Sequence, residues 1–198
     1  MKLFLSIAIL TIFTSTTFSA TLLKSVAPGG KIEFQAIGRP SMLKIKGEGT
    51  GATADLSVVD QKISGDIKFD LNLLYTGIAL RDEHMKEKYL QVKEKDFGTA
   101  VLSFKQFQIP LGWSAQDPKV GSWTFQATLR LHGVEKVITG SYAIGSKKMD
   151  TVAKFDIKLT DYAIDIPTYL GVKVADVVNV TVEFPEMKII ESSAPAKK

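Results

Sequence analysis

The chain has 198 residues, enough for one ordinary domain with a sizeable core. Hydrophobic residues make up 45% and charged residues 23%, the balance of a folded protein rather than a disordered one. The net charge of +4 is spread without a basic block, so no nucleic-acid partner is expected, and the absence of cysteine excludes disulfides, thiol nucleophiles and Cys-ligated metals.

Residues 1–20 read MKLFLSIAILTIFTSTTFSA: a charge at Lys2, an apolar run from Leu3 to Phe13, then small residues to Ser19 and Ala20. That order predicts a cleaved secretory signal peptide. The apolar run is roughly half the length of about 20 residues that a membrane anchor needs. No cysteine follows it to carry a lipid. The mature protein is expected in the periplasm or secreted. A barrel domain is expected over 21–188, followed by a flexible polar tail over 189–198.

Strand signals follow in chain order. Weaker candidates cover 31–38, 42–49 and 53–60. In KISGDIKFDLNLL, Ile63, Ile67, Phe69, Leu71 and Leu73 share one face while Asp66, Lys68, Asp70 and Asn72 take the other. That alternation is the period of a half-buried strand. A further candidate at 99–109 carries Leu102 and Phe104. Trp123, Phe125, Ala127, Leu129 and Leu131 alternate next, and 135–145 is another weaker candidate. Phe155, Ile157 and Leu159 then oppose Lys154, Asp156 and Lys158, and Val178, Val180, Val182 and Phe184 form the last face. Short breaks containing Gly, Asp or Pro separate these runs, which predicts an antiparallel meander.

Only Ala79 to Leu90 departs from this pattern. It holds no Gly, Pro or β-branched residue, so a helix is expected, with Leu80, Met85 and Tyr89 as its apolar stripe. Asp82 and Lys86 are spaced as an attractive i,i+4 pair. Such a helix between two strands is expected to cross an open end of the barrel.

A meander with one apolar face buries it by closing or pairing, and the regular up-and-down spacing favours a closed barrel over a sandwich. The fold expected is all-β, an eight-stranded antiparallel barrel with one short helix. Eight strands enclose room for side chains or one small ligand. An outer-membrane barrel alternates similarly, but here the opposite face mixes Lys, Asp and Glu and no aromatic girdles mark the strand ends.

Three stretches then resemble one family. Thr76-Gly77 with Arg81-Asp82-Glu83-His84-Met85 and Tyr89-Leu90, LRLHGVEK at 129–136, and LTDYAIDIPTYLGVKVADVVNVTVEF at 159–184 resemble the YceI-like, polyisoprenoid-binding proteins. The likeness spans about residues 30 to 184. It departs in GKIEFQAIG (30–38), which lacks a His-Ser pair usual in the first strand, and in KEKDFGTA (93–100), where many members carry a Pro. The resemblance implies a lipocalin-like barrel, exported and non-enzymatic, whose interior holds a long isoprenoid or related amphiphile. An isoprenoid quinone, a polyprenyl phosphate or a fatty amide are the ligand classes expected, with no other cofactor. Transient membrane contact and a homodimer are compatible with that role.

The candidate ligand contacts are the inward side chains named above: Ile67, Phe69, Leu71 and Leu73; Leu102 and Phe104; Trp123, Phe125 and Leu129; Phe155, Ile157 and Leu159; Val178, Val180 and Val182. Leu80, Arg81, Asp82, His84, Met85 and Tyr89 are expected at the rim or lid. Arg81 and Asp82 read as groups that fix the helix to the barrel, or as contacts to a polar head group. Trp113, in PLGWSAQDPK, is a candidate rim residue. His84 and His132 are the only imidazoles and stand beside no nucleophile motif, so neither catalysis nor a metal site is expected. The alternative is a stress-related periplasmic module whose barrel is filled by its own side chains.

Overall fold

The computed structural model describes residues 19–39, 43–114, 116–146, 149–169 and 172–193. Residues 1–18 of the expected signal peptide and 194–198 of the expected tail lie outside these. The strands in chain order are β1 (Ser19–Ser25), β2 (Gly30–Arg39), β3 (Leu43–Val59), β4 (Lys62–Asp70), β5 (Thr99–Gln108) and β6 (Gly121–Leu131). They continue with β7 (Val134–Ile144), β8 (Thr151–Lys158), β9 (Thr168–Tyr169), β10 (Val172–Val174), β11 (Val177–Phe184) and β12 (Met187–Ser193).

Strands β2 to β8 pair in sequence order, and β11 joins β8 to β2, so eight antiparallel strands close on themselves. β1 pairs with the far half of β3 and with β12, extending the wall at one end. The expected barrel is the observed one.

Two bulges explain where the sequence pattern blurs. Between β2 and β3 the register steps from Gly30 opposite Ala52 to Lys31 opposite Thr50, leaving Gly51 unpaired at φ +119°. The inward phase therefore changes along β3: Leu43 and Ile45 face the lumen on odd positions, whereas Ala52, Ala54, Leu56 and Val58 are buried on even ones. The candidates 42–49 and 53–60 are thus one 17-residue strand. In β5 the register steps from Phe104 opposite Gly65 to Phe107 opposite Ile63, with Gln106 at φ +53°. Phe104 and Phe107 consequently share the inner face.

Two further expectations need correction. β4 ends at Asp70, whose carboxylate accepts the Asn72 amide at 2.9 Å and caps a 3-10 turn, Leu71–Leu73. The turn breaks the alternation, so Leu71 stays buried while Leu73 is 45% exposed, outside the interior where it was placed. Residues 189–193, expected in a flexible tail, belong to β12 and pair with β1. The short run Met187–Ser193 has too few apolar residues to signal a strand by itself; Met187 is buried and Ile189 packs on the core.

Tyr162 ends a second 3-10 turn, Leu159–Tyr162, and is 1% exposed. Its hydroxyl has no hydrogen-bond partner among the described residues. Burial, with Asp161 adding to it, pushes this phenol up to about 12. An unfolded tyrosine ionises near pH 10. The folded state therefore holds a proton that the unfolded chain releases, and stability falls as pH rises from about 10 towards 12. Tyr162→Phe removes both the unpartnered hydroxyl and this linkage. We expect it to be as stable as wild type at pH 7 and more stable at pH 11, measured by denaturant unfolding at the two pH values. A loss above about 1 kcal/mol at pH 7 would reveal a hydrogen bond to that hydroxyl.

Candidate ligand cavity and its lid

The lumen is apolar because each strand turns its alternating hydrophobic face inwards, and it is not filled. Small residues make the room: Ala36, Ala100 and the inner edge of β3 meet the larger Phe34, Phe69 and Phe155. Gly49 illustrates the constraint. A Cβ there would come within 2.7 Å of both the Phe69 ring and the Leu73 carbonyl oxygen. A cavity of about 440 Å³ results at the end where β2 stops and β3 begins. Its volume falls in the range of roughly 300–1,000 Å³ typical of small-molecule sites.

Across this end lies the one helix between barrel strands among the described residues. It begins as α1 (Ala79–Glu83) and continues from His84 to Tyr89 with wider π winding, the Leu90 amide donating to Met85 O at 2.9 Å. Widened turns of this kind recur at functional sites. Arg81, His84, Met85 and Tyr89 line the cavity. Leu80 does not: it is 47% exposed, so the expected stripe of Leu80, Met85 and Tyr89 is displaced by one position at its start. Successive residues on a helix face different directions, and it is Arg81 that shares the side of Met85 and Tyr89.

Thr76 anchors the start of the lid. Its hydroxyl and its amide both donate to Asp82 Oδ1, at 2.5 and 2.7 Å. Arg81 Nε donates to the same hydroxyl at 2.8 Å, and Nη2 donates to the Thr76 carbonyl at 2.9 Å. Asp82 thus turns back to Thr76 rather than forward to Lys86, and it does not line the cavity. Just before it, Tyr75 exchanges backbone hydrogen bonds of 2.8 Å with Glu48 of β3. The Tyr75 hydroxyl also donates to Glu48 at 2.5 Å, and Lys31 and Tyr75 together hold the Glu48 carboxyl below its ordinary range. At the other end of the lid, the Thr168 amide donates to the Tyr89 hydroxyl at 3.2 Å, joining the helix to β9 across the mouth.

The remaining predicted contacts divide between two spaces. Ile67, Phe69, Leu71, Leu102, Leu129, Phe155, Ile157, Leu159, Val178, Val180 and Val182 line the larger cavity. Phe104 and Phe125 line a second, smaller one towards the opposite end, with Ile67, Leu102 and Val182 shared by both. Trp113, a candidate rim residue, is 5% exposed and walls this second space. Trp123 lines neither. It is half-buried, packs on the core cluster and is tilted against Tyr142 at 5.6 Å between centroids. Sequence reasoning missed Phe34, Ile45 and Ile164 of the larger cavity; the first two sit in strands whose alternation is short or bulged.

His132 is buried in the β6–β7 turn. Its Nδ1 lies 3.0 Å from the Tyr162 carbonyl oxygen, which can only accept, so this nitrogen carries the proton. Nε2 faces the Gln91 side chain at 3.0 Å, and Phe97 packs on the ring at 4.1 Å. The imidazole therefore joins the segment after the lid to the turn at 159–162. Among the described residues no group of three or more His, Asp or Glu is arranged to hold a metal.

Asp82→Ala removes an acceptor shared by two donors of Thr76. It should cost about 1–3 kcal/mol, read as a lowered Tm, whereas exposed Glu83→Ala should stay within about 0.5 kcal/mol of wild type. Equal losses would show that the Thr76 contacts do not hold the lid.

Residues 26–185 match the model of the YceI-like domain. Among solved structures, the polyisoprenoid binding domain from Saccharophagus degradans implicated in plant cell wall breakdown is 15% identical. It superposes with a TM-score of 0.57, covering 88% of this chain and 98% of its own. BcnA of Burkholderia cenocepacia is 12% identical with a TM-score of 0.59, covering 78% of this chain and 94% of its own. At these identities the likeness is one of fold. No curated protein sequence matches the chain.

Proposed function

The chain belongs to the YceI-like domain family, and from that premise we propose that it is an exported, non-enzymatic carrier. It holds one long-chain amphiphile of polyisoprenoid type inside the barrel for transport, storage or sequestration. The observation that carries this reading is the unfilled apolar cavity of about 440 Å³ beneath a hydrogen-bonded lid. A barrel filled by its own side chains would have no such space, so the stress-module alternative is disfavoured.

The energetics are adequate. Each buried CH₂ contributes about 0.8 kcal/mol, so some fifteen carbons give on the order of 12 kcal/mol before the loss of ligand freedom. Several kcal/mol are lost on immobilisation, which leaves micromolar or tighter binding. The polar lining is confined to the mouth, at Thr76, Arg81, His84 and Thr168. A quinone, a phosphate or an amide head would rest there while the tail fills the lumen. Ile78 and Leu80, each about half exposed beside the mouth, supply apolar contact for brief docking on a membrane during loading. The signal-like leader supports work in the periplasm or outside the cell.

Solvent extraction and mass spectrometry of protein purified from its native compartment should recover a long-chain amphiphile. Recovery of none, together with no binding of a quinone or polyprenyl analogue, would remove the proposal. Met85→Ala and Tyr89→Ala should each speed ligand loss severalfold, while Glu83→Ala and Glu87→Ala leave it unchanged, followed as dissociation of a fluorescent prenyl probe. Equal effects at all four positions would mean that the helix is no lid.

A further inference from the structure

The two cavities sit end to end along one lumen, and the three residues common to both mark the place where they meet. Ile67 and Leu102 are direct cross-strand partners on β4 and β5. Val182 lies on β11, which in the closed order stands on the opposite side of the barrel from β5. Side chains from opposing walls thus narrow the lumen to a waist. Beside it, Phe155 of the larger chamber meets Phe125 of the smaller one edge-on at 6.2 Å. Beyond the waist the smaller chamber, about 110 Å³, is lined almost wholly by apolar atoms. Its far end is stopped by Ile109, Trp113 and Met187, all buried.

Resting on the carrier reading above, we propose that the smaller chamber is a tail-terminus subsite and that the waist makes the barrel a gauge of chain length. An apolar cavity of 150 Å³ takes one benzene. By that proportion the chamber under the lid suits roughly 18 carbons and the second adds roughly four or five, one isoprene unit. The ligand class selected is therefore an amphiphile whose single tail has about 20 carbons. Shorter tails leave the far chamber empty and forfeit its contacts. Longer ones meet Trp113 and must leave carbons in water at the mouth.

The test is a series of prenyl alcohols of 10, 15, 20 and 25 carbons titrated against purified protein freed of co-purified lipid. Wild type should bind the 20-carbon alcohol at least tenfold more tightly than the 15-carbon one, with no further gain at 25 carbons. Ala153→Leu fills the far chamber from its wall beside Val182, its cross-strand partner, and Ile67→Trp blocks the waist from the opposite side. In each folded variant the 20-to-15 affinity ratio should fall severalfold below that of wild type. Should Ile67→Trp fail to fold, judged by circular dichroism, Ala153→Leu decides alone. An independent readout uses the two tryptophans: in Trp123→Phe, emission from Trp113 should respond to the 20-carbon alcohol and not to the 15-carbon one. Retention of the wild-type ratio by folded Ala153→Leu overturns the gauge and leaves the carrier reading standing. Failure of wild type to bind any member of the series overturns both.

Discussion

Closure of the sheet is the constraint on which everything else rests. β2 pairs with β3 along one edge and with β11 along the other, so no barrel strand is left with an open edge. Once eight strands are joined in a ring, the lumen has a fixed cross-section, and the sizes of inward side chains decide whether it is solid or hollow. Here the inward positions mix rings with Ala and Gly. Phe34, Phe69, Phe125 and Phe155 reach inwards, while Ala36, Ala52, Ala54 and Ala127, all nearly fully buried, contribute almost no volume. Space remains because the small residues are not all opposite large ones. A closely packed interior tolerates few such voids, since each forfeits dispersion contacts along its walls. A void of several hundred cubic ångströms lined by hydrocarbon is expensive when empty, and a hydrocarbon chain is the occupant that restores those contacts.

Much of this was legible in the sequence, and the failures have physical causes. Period-two alternation in 63–69, 123–131, 155–159 and 178–184 announced strands with one buried face, and the same residues line the lumen or its core. The helix at 79–89 was legible from the absence of glycine, proline and β-branched residues. Alternation fails as a guide wherever the backbone inserts a residue. The bulge at Gly51 exchanges the inner and outer faces of β3, and the turn capped by Asp70 takes Leu73 out of phase. No pattern of side-chain types marks those backbone events in advance. A strand such as β12 is invisible for a different reason. It is stabilised by pairing with β1, some 170 residues away in sequence, and not by its own composition.

The lid shows how charged residues that look reactive are used structurally. Arg81 and Asp82 both turn towards Thr76, and Thr76 follows directly on the Tyr75 bridge to β3. Tyr89 reaches β9 at the other end of the same helix. The helix is thereby tied to the wall at its start and to the hairpin across the mouth at its end. Its later turns, wound wide from His84 to Tyr89, carry His84, Met85 and Tyr89 towards the lumen.

This arrangement also determines where selectivity resides. A site that discriminates by hydrogen bonding needs buried polar groups left unpaired when the wrong ligand binds, since the penalty for that mismatch is what rejects it. Here Asp82 and His132 already have protein partners, and the lumen beneath the mouth is hydrocarbon. On the carrier reading, head groups of different chemistry would rest near water and be weakly distinguished. Steric limits are not weak in the same way. On the chain-length proposal, a tail would pass between Ile67, Leu102 and Val182 or stop there, and Trp113 walls the space beyond them. In a barrel with fixed walls, the geometry of the interior would then discriminate among tails more sharply than the few polar atoms at its entrance discriminate among heads.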